Sequence, residues 1–268
     1  MGWISSSFLR RGRGAARRRY ARGPSSFSGL FDAAAVCLER SRGSIRGVRR
    51  DLFQELQLIR HVLLILGSLT LAAVWLTPLP SLAGKAFFVH MTMHMGVVAV
   101  AAPLIAYGVA GGRFDPARRF ATLFAPIPAS ILELVVVWAW HTPALHHAAR
   151  HDGAVMATEQ GMFFFTGLFM WLSAFGGNEF RSRPRRAAGV IGLLLTSMHM
   201  TLLGALLALG PRPLYAHAQG FGSLTALEDQ HLGGAIMLVV GGVSYLAGGL
   251  WLMVGLLRDP GLDAEQRM

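Results

Sequence analysis

An all-α, polytopic transmembrane helical bundle of about six spans, with both termini cytoplasmic, is the fold this sequence predicts, on three observations. The 268 residues are 53% hydrophobic and only 15% charged, with a mean hydropathy of +0.46, more apolar surface than an ordinary soluble domain carries. Beyond Arg60, six apolar segments each approach the ~20 residues needed to cross a ~30 Å hydrocarbon core. The basic residues alternate between the connecting segments. A net charge of +11 with a pI near 11.3 would suggest nucleic acid in a soluble protein. Here the arginines flank apolar spans, so anionic lipid head groups are the expected partner and nucleic acid is not. The single cysteine, Cys37, excludes an internal disulfide framework and any CxxC metal site.

Residues 1–60 form a basic leader with Arg10, Arg11, Arg13, Arg17, Arg18, Arg19 and Arg22, and no acidic residue before Asp32. It lacks the apolar region of a secretory signal and fits a disordered cytoplasmic segment, a mitochondrial transit peptide or an over-extended start. Its last residues, 52–60, are expected to lie on the membrane surface as a short amphipathic helix. A six-span domain follows over 61–257, with spans at about 61–82, 86–110, 120–140, 154–175, 187–210 and 232–257. Residues 258–268 form a cytoplasmic tail. Pro103, Pro126 and Pro128 fall inside spans two and three, where kinks are expected. In span six Gly234, Gly241, Gly248 and Gly255 recur every seven residues, a stripe that lets a neighbouring helix approach closely. The leader, loops 111–119 and 176–186, and the tail hold all but three of the 25 lysines and arginines. Lys85, Arg150 and Arg212 lie one in each remaining loop, so the positive-inside rule turns loops 77–85, 141–153 and 211–231 outward.

Span two carries HMTMHM, in which His90 and His94 stack one turn apart on one helix face, beside the pair Met91 and Met95. Glu133 lies in the outer half of span three, Glu159 about a turn and a half into span four, and His199 in span five between Met198 and Met200. At a 1.5 Å rise, His94, Glu133, Glu159 and His199 all fall roughly 8 to 16 Å below the outer boundary. His141, His146, His147, His151, His217 and His231 sit in outward loops, with Asp229 at the mouth of span six. Polar groups in hydrocarbon cost free energy and mark functional sites, and one cluster opening outward accounts for the bias. Imidazole with thioether points to copper, Cu(I) in particular. The candidate metal set is His90, His94, His199, Glu159, His141, Asp229, Met95 and Met198, centred on His90, His94 and His199. A structural reading stands beside it: neutral histidines bonded to neighbouring helices, and methionines as packing filler.

HMTMHM, WAWHTPALHHAARH after span three, the intramembrane Glu159, SMHMTLLGALLALGPRPLYAH and EDQHLGGAIM occur in this order over roughly residues 67–255. Together they resemble the multi-spanning CtaG-like (caa3-type) family of cytochrome c oxidase assembly factors. The matching positions are His90, His94, Trp140, His141, Pro143, Glu159, His199, Pro211, Tyr215, Asp229, Gln230 and Gly234. The resemblance implies an inner-membrane helical bundle that assists maturation of a haem-copper oxidase by handling copper. Its implied partners are oxidase subunits or other copper chaperones. Two positions depart from the family pattern. Gln160 stands where a histidine often follows the glutamate, and His146 where a tyrosine is common, so the ligand set is shifted or reduced.

Three functional classes remain open to the sequence. One is a non-enzymatic assembly factor that holds copper. A second is a haem-binding electron-transfer protein with His94 and His199 as axial ligands. The third is a metal or proton transporter. No nucleophile motif, phosphate loop or dinucleotide fingerprint argues for an enzyme. The expected location is a bacterial inner (plasma) membrane, with the mitochondrial inner membrane as the alternative that the arginine-rich start raises.

Overall fold

The structure is a computed structural model that describes residues 26–177, 182–215 and 222–258, with side chains from residue 50 onward. Residues 1–25, His217 and the tail beyond residue 258 lie outside the described residues. The chain divides into two compact units, 1–54 and 55–268. Among the described residues every regular element is helical.

Helix α1 runs Ser26–Trp75. No proline interrupts the chain between Pro24 and Pro78, so the hydrogen-bond ladder continues through a stretch where the sequence reading expected disorder and then a separate short amphipathic helix. Leu52, Phe53, Leu56, Leu58 and Ile59 are all exposed along it. The helix stops at Trp75, short of the expected 82, because Pro78 and Pro80 disfavour helix at the residues before them. A separate turn, α2, forms at Leu79–Ala83.

Helix α3, Phe87–Val109, contains a π-helical segment at Gly96–Ala101 immediately ahead of Pro103. Proline has no N–H to donate, and the wider register absorbs the missing bond. Helix α4, Pro126–Trp140, begins at Pro126 rather than at residue 120. Pro126 and Pro128 therefore sit in the first turn, where a backbone N–H has no helical partner anyway, and they start the helix instead of kinking it. Helix α5, Pro143–His151, is followed by α6, Gly153–Phe175, whose first turn is capped by Asp152 accepting from Ala154 N–H at 2.7 Å. Helix α7 spans Arg183–Ala208. Helix α8, Ala226–Leu257, opens with a Thr225–Glu228 capping box and has its own π segment at Met237–Gly241.

Among the described residues four stretches are long and apolar enough to cross a membrane: Arg50–Trp75 within α1, and helices α3, α7 and α8. Helix α4 is apolar but has 15 residues. Helix α6 has 23 residues and buries Glu159, Gln160 and Thr166. A helix enclosed by its neighbours meets protein rather than lipid, which lowers the apolar content it needs. The chain is an all-α helical membrane protein.

Close approach is concentrated at glycines. A Cβ at Gly234 would stand 2.4 Å from Ala208 N, and one at Gly204 would stand 2.6 Å from Leu238 N, so α7 and α8 pack backbone to backbone. A Cβ at Gly248 would stand 2.6 Å from the Trp171 ring, whereas one at Gly255, the fourth member of the heptad stripe, would meet nothing nearer than Arg186 Nη1 at 3.9 Å. At the arginine-rich end, buried Asp115 accepts from the N–H groups of Gly111, Ala117 and Gly177, and Arg185 donates to Phe124 O at 3.0 Å. These bonds tie the two basic loops together.

Candidate metal centre

The site begins at the start of α3. Ala86 enters the helix in an extended conformation and supplies no side-chain cap. The orphan donors Phe87 N–H and Phe88 N–H are instead met by the two carboxylate oxygens of Asp229 on α8, at 2.8 Å each. A buried carboxylate at a helix N-terminus satisfies donors and complements the dipole. Its neighbour Gln230 accepts from Leu214 N–H at 2.6 Å and donates to Leu207 O at 3.2 Å. The loop fixed in this way carries Tyr215, whose hydroxyl donates to His141 O at 3.0 Å and whose ring lies 4.0 Å from that of His146. Arg150 donates to Gly84 O at 3.1 Å and fastens α5 over the start of α3. Asp229→Asn is expected to leave one α3 N–H unsatisfied and to cost about 1–2 kcal/mol. A melting curve of the purified variant reads this.

Three residues of metal-ligating type converge beneath that loop. His90 Nε2 lies 3.3 Å from Glu159 Oε1. His146 from α5 stands edge-on to His90 with ring centroids 5.0 Å apart. One atom from each of His90, His146 and Glu159 falls within 4.8 Å of the others, and all three residues are buried. Nδ1 of His90 and both ring nitrogens of His146 have no hydrogen-bond partner. Unpaired buried polar atoms are costly, and a cation held between His90, Glu159 and one nitrogen of His146 would satisfy that nitrogen. Beside them, His141 donates from Nδ1 to Val137 O at 2.7 Å, which leaves Nε2 as a lone pair with no partner. Burial pulls the His141 imidazole down to about 4 and holds that of His146 well below its ordinary value, with His90 and Arg150 adding repulsion at His146. Both rings are therefore neutral near pH 7 and offer lone pairs rather than charge.

The family model of the cytochrome c oxidase caa3 assembly factor (Caa3_CtaG) matches residues 41–259. The chain belongs to this family. Neither a curated protein nor a solved structure matches it.

Within this Caa3_CtaG chain the expected site residues separate. His90 and Glu159 meet as expected. His94 is fully buried with both nitrogens unpartnered; its ring lies 3.7 Å from Phe163 and 5.4 Å from His141. His199 on α7 is buried and also unpartnered, but it falls outside the metal-capable grouping. Asp229 spends both oxygens on the α3 cap, so it serves as a positioning residue where a ligand was expected. Met198 is 63% exposed on the outer face of α7, one helical step of about 100° round from the buried His199. Met95 is buried with its sulfur 3.2 Å from where a Gly241 Cβ would be, in packing against α8. Glu133, expected in the same outward cluster, accepts instead from the Tyr245 hydroxyl, beside a Ser130–Thr196 contact of 2.9 Å. His146 is the member of this grouping that the candidate set omitted. The signal was in α5 itself, where His146 and Ala149 share one face and His147 and His151 the other.

Proposed function

We propose that this cytochrome c oxidase assembly factor binds copper at His90, His146 and Glu159 and passes it to an oxidase subunit or to another copper chaperone. The observation that carries the reading is the buried His90–His146–Glu159 convergence with its unpartnered nitrogens. A 3.3 Å separation of His90 Nε2 and Glu159 Oε1 is what two ligands with bonds of about 2.0–2.2 Å present to one tetrahedral ion. Imidazole and carboxylate donors favour copper among the divalent first-row ions. Met198 is exposed and Met95 packs toward Gly241 of α8, so the proposed ligand set rests on imidazole and carboxylate. The protein acts by holding and releasing the ion, without a catalytic step.

The arginine distribution supports a site at the outer side of a bacterial inner membrane, with the basic loops on anionic lipid at the cytoplasmic side. In cells with Cys37 replaced, Thr142→Cys is expected to react with an impermeant thiol reagent added outside, and Ser182→Cys is not. The reverse pattern would show the opposite orientation. Metal analysis of untagged protein purified from membranes is expected to find one copper per chain. A Soret band with copper far below stoichiometry would replace this reading with the haem-binding one.

A further inference from the structure

Helix α5 has a second histidine face. His147 and His151 are both exposed, one turn apart on the side of the helix opposite His146 and Ala149. Their rings lie 4.0 Å apart at an angle of 50°. The Nδ1 atoms are 3.0 Å from each other, and His151 Nδ1 is also 2.8 Å from His147 O. Metal–nitrogen bonds of about 2.0–2.1 Å, opening at an angle between square-planar and tetrahedral, need nitrogens about 2.8–3.4 Å apart. The observed spacing lies inside that window.

We infer that His147 and His151 form an exposed capture site for a divalent, imidazole-seeking transition cation, which feeds the buried centre through His146 on the same helix. The feeding half rests on the function proposed above; the chelate itself does not. While no cation is held, one Nδ1–H bridges the pair and the carbonyl. On binding, that proton moves to Nε2 of the same ring, so both Nδ1 lone pairs face the ion and no net proton is released. Two protein ligands leave the remaining positions to water, which makes this a labile site suited to exchange rather than storage. The inner centre offers a carboxylate and desolvated imidazoles, so transfer runs inward. One short helix, fixed by Arg150 on Gly84 O, carries the outer pair on its exposed face and the inner ligand on its buried one.

The test uses the untagged full chain in detergent, dialysed against CuCl2 with MgCl2 as the control cation. The wild type is expected to take up one more equivalent of Cu(II) than the His147→Ala/His151→Ala variant, and none of the magnesium. That variant should keep the inner equivalent and fill it at least 10-fold more slowly. Because both side chains are exposed, it should fold normally. His90→Ala/His146→Ala should lose the inner equivalent and keep the outer one, so failure of the buried centre is seen separately from failure of this pair. Equal Cu(II) uptake by the wild type and the His147→Ala/His151→Ala variant would overturn the chelate, and an unchanged filling rate would overturn its role in capture.

Discussion

Replacing His90 and His146 together by alanine is expected to lower copper affinity at least ~100-fold, about 2.8 kcal/mol, and to leave membranes with little mature oxidase activity. The two imidazoles come from α3 and α5 and meet Glu159 from α6, so the variant takes two of three donors from one point while the carboxylate stays behind. Glu159→Gln keeps the side-chain shape but removes the charge. It should cost at least the ~10- to 100-fold seen when a ligand loses its supporting partner. His199→Ala should retain copper near the wild-type level, since His199 lies outside the grouping. His94→Ala should fall between, through its contact with His141 at 5.4 Å. Equilibrium dialysis and oxidase assays on the same membranes read both effects. If His199→Ala lost copper while His90→Ala/His146→Ala kept it, the centre would lie deeper, along α7.

Much of the architecture was legible because it rests on one-dimensional signals. Apolar runs fixed the helices and proline positions fixed several of their ends, although proline as helix starter at Pro126 looked the same in sequence as proline as kink. The depth argument put Glu159 near the histidine-bearing part of span two, since helix rise converts residue number into height. It could not supply azimuth. His94, Glu133 and His199 lie at similar expected heights, yet Glu133 turns to Tyr245 and His199 stands apart. Asp229 shows the same limit from another side. Its chemistry allowed either a ligand or a cap, and only its two bonds to the N–H groups of Phe87 and Phe88 decide between them. His146 was read as a loop residue because α5 is too short and too polar to register as a span, and its amphipathic pattern becomes informative only once α3 is known to lie beneath it.

Gly234→Leu and Gly204→Leu are each expected to prevent assembly of the bundle, with little protein reaching the membrane fraction in folded form. At both positions the obstruction is main chain. A Cβ at Gly234 would meet Ala208 N at 2.4 Å and Leu207 C at 2.8 Å; one at Gly204 would meet Leu238 N at 2.6 Å and Leu238 Cα at 2.8 Å. A flexible side chain could rotate away, but backbone on a facing helix can yield only if α7 and α8 separate along their length. Overpacking by a single methyl typically costs about 1–3 kcal/mol, so even Gly234→Ala should lower the melting temperature, and leucine should exceed what the interface tolerates. Separation of α7 from α8 would also release the Gln230 bonds to Leu207 and Leu214 and unseat Asp229 from α3, so copper binding should disappear with the fold. Gly255→Leu is the control that separates contact geometry from the heptad pattern. It belongs to the same stripe, yet a Cβ there would meet nothing nearer than the movable end of Arg186 at 3.9 Å. Normal abundance and melting are expected for Gly255→Leu by fluorescence-detected size exclusion, against aggregation for the other two. Equal tolerance at all three positions would show that α7 and α8 do not pack backbone to backbone.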